Sequence, residues 1–359
     1  MTRNKSVRDS GIELLRIILM LQVIFLHVCT YGNYSKFALS AGGTHELFYW
    51  FIWLMSRCPV YVYIVLMGYF LVEKNMSLNA MKRRVVSTYL VMIFYSLTLP
   101  LLAWATGNLE SITLSKVVEM FFPLLSRTWY FMSLYIIVLF FAPFLNRGLN
   151  SLTKKEYSVL MAGLFFLFSI WTVLANLPMT KEVVQLTKVF STEEGKGLYG
   201  FIYMYLLGGY LKLHVPKKEK AKISYLVLFV ALAVLNELLV YQLEGYRKIV
   251  GYNDNPISVI QGALLVLYFR DLKIKSTVIN KISATNIGVY MIHENPYIRN
   301  VIWLTICQLS DLSFYEGRWY PIKIIVVVLL VYIACSFMEM VRKRIFDFFG
   351  KRWNKYKLL

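Results

Sequence analysis

Residues 11–31, GIELLRIILMLQVIFLHVCTY, form an apolar run long enough to cross a bilayer, yet Glu13, Arg16 and His27 lie within it. An ionisable side chain at membrane depth is costly unless it faces a polar interior. Arg16 and His27 are eleven residues apart, and eleven helical steps of about 100° return to within roughly 20° of the starting direction. The two side chains therefore share a face, roughly 16 Å apart along the axis, and Glu13 falls within about 40° of it. A helix surrounded by lipid would not gather its charged and titratable groups on one stripe. This one faces the interior of a bundle.

The rest of the chain supplies that bundle. Of its 359 residues 58% are hydrophobic and 16% charged, more apolar surface than a water-soluble domain can cover. Ten segments are long enough for a hydrocarbon layer of ~30 Å: 12–31, 48–71, 86–105, 128–146, 158–178, 198–213, 223–242, 256–270, 286–309 and 320–341. The net charge of +19 would suit nucleic acid, but its carriers sit in short loops between apolar runs. The N-terminus, the loops 72–85, 147–157, 211–222 and 270–285, and the tail from Arg342 hold 26 of the 39 Lys and Arg residues. That bias is topological. It places both termini in the cytoplasm and leaves no nucleic-acid partner to expect. The first run is too long for a signal peptide, contains Arg and His, and lacks a small-residue cleavage site, so it reads as a retained anchor. The expected fold is all-α: one polytopic domain over residues 1–359, with about ten transmembrane helices. Cys29, Cys58, Cys307 and Cys335 lack metal-type spacing and read as small apolar residues.

In this orientation Arg16 lies near the cytoplasmic end of the first span and His27 near the outer end. Arginine stays charged and offers several donors, which suits a phosphate or carbonyl of a ligand. Histidine is the side chain best matched to general-base work near neutral pH. Arg57 enters the second span at the level of His27, either snorkelling to headgroups or serving a site. Gly68 permits close helix approach. Lys82, Arg83 and Arg84 set topology, touch anionic membrane lipids, or hold the phosphates of a nucleotide-containing donor. Trp129 and Tyr130 fit an aromatic belt, and Pro143 to Asn146 reads as a helix stop. Asn236, Glu237 and Gln261 suit interhelical hydrogen bonds or a polar lumen. His293, Glu294 and Asn295 precede Pro296, which removes a donor and interrupts the ninth span, so they are expected to line the same cavity as His27. A His-Glu pair invites a metal, but adjacent residues point to different helix faces and no HExxH spacing exists, so none is expected.

Five ordered blocks carry a family resemblance: Ile12–Arg16 followed by His27, the PV…GYFL stretch at Pro59–Leu71, WYF…Y…PFLN at Trp129–Asn146, LLGGYL at Leu206–Leu211, and IGVYMIHENP at Ile287–Pro296. Together they span nearly the whole chain, and it resembles the acyltransferase-3 family of integral membrane acyltransferases. The resemblance implies a ten-helix bundle that moves an acyl group, commonly acetyl from cytoplasmic acetyl-CoA, onto hydroxyls of glycans, lipids or antibiotics. It matches His27 to the essential histidine and Arg16 to its partner. Many members have Ser before the GYF glycine, where this chain has Met67, and a basic–x–x–basic motif where Arg84 is followed three places on by Ser87. The expectation is therefore an acetyl-CoA-dependent O-acetyltransferase in a bacterial plasma membrane. It would act on a cell-surface polysaccharide, such as exopolysaccharide or capsule, or on its lipid-linked precursor. Lys82, Arg83 and Arg84 would meet donor phosphates, and Arg57, Trp129, Tyr135, His293 and Glu294 the acceptor. The rival is a glycan or lipid transporter, which also needs buried charges, but the paired inverted repeats of that class are not seen in this sequence.

Overall fold

The computed structural model describes residues 9–356 apart from 75, 127, 185–192 and 244, with backbone alone for 349–356. Helices account for all regular structure among the described residues. The first apolar run forms α1 (Ser10–Tyr31), closed by Gly32, whose amide donates to the Val28 carbonyl. After the short α2 (Tyr34–Ala41), α3 (Gly43–Met55) and α4 (Pro59–Leu71) divide the second span at Pro59. Proline is tolerated there because a first-turn residue has no intrahelical amide bond to lose. Ser77 caps α5 (Leu78–Ala105) through its hydroxyl, and the connection that follows carries α6 (Leu114–Phe121) before α7 (Tyr130–Ser151). A Thr153–Glu156 capping box starts α8 (Lys154–Phe165), which runs through a π-helical turn at Phe166–Ile170 into α9 (Trp171–Asn176). Then follow α10 (Leu198–Leu213), α11 (Ile223–Gln242), α12 (Tyr246–Ile249), α13 (Pro256–Arg270), α14 (Thr277–Ser283), α15 (Asn286–His293) and α16 (Tyr320–Tyr356).

Seven helical stretches among the described residues are long and apolar enough to cross a membrane: 10–31, 43–71, 78–105, 130–151, 154–176, 223–242 and 320–348. The other three expected spans take different forms. Helix α10 has 16 residues and α13 has 15. The segment 286–309 is broken: α15 stops at His293, the chain turns through Asn295 and Pro296, and a π-helical stretch resumes at Val301–Ile306. The expected helix stop at Pro143–Asn146 does not occur. Helix α7 continues to Ser151, because Asn146 and Asn150 tie it sideways to α4: Asn146 Nδ2 donates to Leu71 O at 2.7 Å and Asn150 Nδ2 to Val72 O at 2.8 Å.

Helix α1 is central, packed against α4, α13, α14, α15 and α16. Its inner residues Ile12, Leu15 and Leu19 belong to one apolar core and its outer residues Met20, Ile24 and Val28 to another. Residues such as Leu90, Leu238, Leu330 and Phe337 on α5, α11 and α16 stay exposed, an apolar girdle suited to lipid. One polar residue each of α11 and α13 is used in packing: Tyr246 donates to Asn236 Oδ1 at 2.6 Å and Gln261 Nε2 to Phe229 O at 3.0 Å, while Glu237 Oε1 is buried without a hydrogen-bond partner among the described residues.

The tightest helix pair is α4 with α10. A Cβ on Gly68 would fall inside the Tyr205 carbonyl, and one on Gly208 inside the Val65 carbonyl, so backbone meets backbone where GYFL and LLGGYL cross. Gly208→Ala should therefore destabilise the purified protein by about 1–3 kcal/mol, the usual cost of overpacking. Thermal unfolding in detergent checks this, and an unchanged midpoint would contradict the close approach.

Candidate active site

Arg16, Met20, Val23 and His27 recur at the three-four spacing of one helix face, and all four line a single cavity of about 330 Å³. The opposite walls come from α4 (Val60, Tyr63, Met67), α7 (Tyr130, Phe131, Tyr135), the α14–α15 region (Ser283, Asn286, Tyr290, Glu294) and Lys343 of α16.

At the outer end, His27 meets the broken ninth span. His293 Nδ1 lies 2.5 Å from the Val289 carbonyl, and its Nε2 lies 3.0 Å from His27 Nδ1. A carbonyl only accepts, so the neutral His293 ring carries its proton on Nδ1 and presents a lone pair on Nε2. His27 Nδ1 must then be the donor, and Glu294 Oε2 stands 3.3 Å from it at ion-pair distance without a hydrogen bond. This leaves the lone pair of His27 on Nε2, which has no hydrogen-bond partner among the described residues. Glu294 is held in turn. Its Oε1 accepts from the Tyr31 hydroxyl at 2.6 Å, while Arg299 lies 3.5 Å from Oε1 and donates to the Tyr31 oxygen at 3.1 Å. The five side chains form one network, with the carboxylate set against the guanidinium and the His27 ring between that network and the cavity.

At the inner end, Arg16 donates to Glu13 Oε1 at 3.0 Å, and the other Glu13 oxygen accepts from Ser283 at 2.5 Å. The backbone of α1 is pinned at the same level, since the Arg16 carbonyl accepts from both Tyr63 and Asn286 at 2.7 Å. Lys343 reaches the Ala284 carbonyl from the other side. Among the described residues no group of three or more His, Cys, Asp or Glu side chains is arranged to hold a metal ion.

A family model described as an acyltransferase domain, that of acyltransferase-3, matches residues 9–350. The chain belongs to the acyltransferase-3 family. No curated protein and no solved structure matches it. It is thus a multi-pass membrane acyltransferase, all-helical in its described residues.

In this acyltransferase Arg16, His27, Tyr135 and Glu294 line one cavity. His293 is fully buried behind His27 and touches the cavity only through it. Arg57 is committed elsewhere: its guanidinium sits 4.6 Å over the Trp53 ring and donates to the Gly251 carbonyl and, at 3.4 Å, to Asn253. Trp129 is buried in the outer core, and its neighbour Tyr130 takes the place on the cavity wall. Lys82, Arg83 and Arg84 are exposed on the first turns of α5, outside the cavity lining. Sequence reasoning gave no role to Tyr31, Tyr63, Asn286, Arg299 or Lys343. Tyr31 carried a signal, four residues after His27 and so on nearly the same face. Arg299 and Lys343 read as ordinary charges at span ends.

Tyr31→Phe removes a donor to Glu294 and an acceptor for Arg299 without changing the ring. It should cost about 2 kcal/mol, since both bonds involve a charged partner. Thermal unfolding of the variant checks this, and no loss would place the Glu294 network outside the stable core.

Proposed function

We propose that this acyltransferase transfers an acyl group, acetyl in the first instance, from cytoplasmic acyl-CoA to a hydroxyl of a cell-surface polysaccharide or its lipid-linked precursor. Its home would be a bacterial plasma membrane, with a bundle of about ten spans and both termini in the cytoplasm. The observation that carries the reading is His27 Nε2. It is a base with a free lone pair at one end of a continuous cavity, and Arg16 lies at the other end. The distances suit the donor. Arg16 and His27 are roughly 16 Å apart along α1. The pantetheine arm has about twelve bonds from phosphate oxygen to sulfur, the reach of about four extended residues, or ~14 Å. A phosphate near Arg16 would thus bring the thioester close to His27.

His27 Nε2 takes the acceptor hydroxyl's proton as that oxygen bonds to the thioester carbonyl carbon. The carbon–sulfur bond then breaks, and the departing thiolate recovers the proton from His27. His293 and Glu294 hold the Nδ1–H side of the ring through this cycle, so the imidazolium is stabilised while it exists. Tyr130, Tyr135 and Glu294, which line the cavity, would orient a sugar.

His27→Ala should leave an inserted, folded protein and abolish acyl transfer, lowering the rate by at least about a hundredfold. Proton NMR of surface glycan from cells with the intact gene, a deletion and His27→Ala reads this as ester-linked acetyl. Acetyl lost in the deletion but kept in His27→Ala would remove His27 from catalysis. Acetyl unchanged in every strain would remove glycan as the acceptor. The orientation has its own test. In a cysteine-free background of intact cells, Glu219→Cys should be shielded from a membrane-impermeant maleimide and Ser111→Cys labelled. The reverse pattern would invert the topology.

A further inference from the structure

The geometry points to Lys343, together with Arg16, as the clamp for the diphosphate of the acyl donor at the inner end of the cavity. This rests on the acyl-CoA reading above and replaces the α5 cluster Lys82, Arg83 and Arg84 as the principal phosphate contact.

Lys343 is the α16 residue on the cavity wall. It is linked to Arg16 through the end of α14: Ser283 donates to Glu13, which pairs with Arg16, while the next residue, Ala284, offers its carbonyl to Lys343. Both cations are thus tied to the Ser283–Ala284 segment, Arg16 through Glu13 and Lys343 directly, and both line the same cavity. Neither is saturated. An ammonium has three donors and a guanidinium five, whereas Lys343 has the Ala284 carbonyl and Arg16 has Glu13 as side-chain hydrogen-bond partners among the described residues.

The acidic residue nearest Lys343 is already used. Glu339 is buried and bound bidentately by Arg342, Nε to Oε2 at 2.6 Å and a terminal nitrogen to Oε1 at 2.7 Å, and Oε2 also accepts from Tyr95 at 2.5 Å. Lys343 Nζ stands 3.6 Å from Oε1, beyond a normal hydrogen bond. Glu339 keeps this position because residue 288 is glycine, where a Cβ would come 2.6 Å from the carboxyl group. Arg342 thus takes both oxygens of the carboxylate, Lys343 keeps only an ion-pair contact with it at 3.6 Å, and the ammonium donors not used on Ala284 are open to a ligand. Two cations lining the same cavity match the two adjacent phosphates of coenzyme A. A lipid headgroup at this face would present the same phosphate chemistry.

The test is calorimetric binding of coenzyme A, pantetheine and phosphatidylglycerol to the purified full chain in neutral detergent. Lys343→Ala and Lys343→Gln should each weaken coenzyme A by at least about tenfold, or 1.4 kcal/mol. Pantetheine, which has no phosphate, should bind all forms alike. Lys343→Arg should retain most of the affinity, because charge is preserved. Thermal midpoints matching wild type exclude misfolding. Unchanged coenzyme A affinity in both neutral variants, with affinity lost on replacing Lys82, Arg83 and Arg84 together by Ala, would overturn the clamp and keep the acyl-CoA reading. Phosphatidylglycerol weakened by the Lys343 variants while coenzyme A is not would assign the site to lipid. A wild-type chain that does not bind coenzyme A would overturn both.

Discussion

Three ionisable side chains on one stripe of a membrane helix cannot be left facing hydrocarbon. The bundle around α1 is arranged to meet that constraint. Arg16 is answered by Glu13 within the same helix and His27 by His293 and Glu294 from the broken ninth span. The break itself follows from Pro296 and the polar run before it. A continuous helix would carry His293 and Glu294 to different faces, whereas the turn after His293 lets both reach one imidazole. The interruption is confined to a place where its freed backbone groups meet protein: the amides of Ile298 and Arg299 return to the Asn295 carbonyl.

Around that centre the bundle closes by contacts that depend on small residues. Gly68 and Gly208 let α4 and α10 meet backbone to backbone, and Gly288 admits Glu339 against α15. The first contact sets the wall that carries Tyr63 and Met67. The second orders the charges at the inner mouth. A helix pair held by van der Waals approach has no hydrophobic alternative in lipid, so these glycines matter more here than in a soluble bundle.

The two ends of the cavity differ in how their charge is held. The outer end is an interlocked network in which Tyr31, Arg299, Glu294 and His293 all act on one ring, leaving one basic nitrogen. The inner end keeps cations with donors to spare. A base at one end and unsaturated cations at the other suit a donor that carries its negative charge far from its reacting carbon.

Much of this was legible in the sequence because helical periodicity is local. The eleven-residue spacing put Arg16 and His27 on one face before any neighbour was known, and hydropathy located the seven helical stretches long and apolar enough to cross a membrane. Pro296 marked a break that occurs, whereas the division before Pro59 falls inside a span read as continuous. Pro143 did not end its helix, because lateral bonds from Asn146 and Asn150 to α4 depend on a partner distant in sequence. The partners of His27 were hidden for the same reason: His293 lies 266 residues away, and sequence alone could not say which of its nitrogens would face a carbonyl. From sequence Arg57 was expected at the acceptor and Lys343 had no role. Packing buried the first against Trp53 and Gly251 and turned the second toward the cavity. By itself the sequence determined an all-helical membrane chain with an inward charged stripe, since hydropathy and period require no knowledge of contacts. Which charges pair with one another, and which remain for a ligand, was decided only by tertiary structure, because a charge takes its role from the groups that surround it.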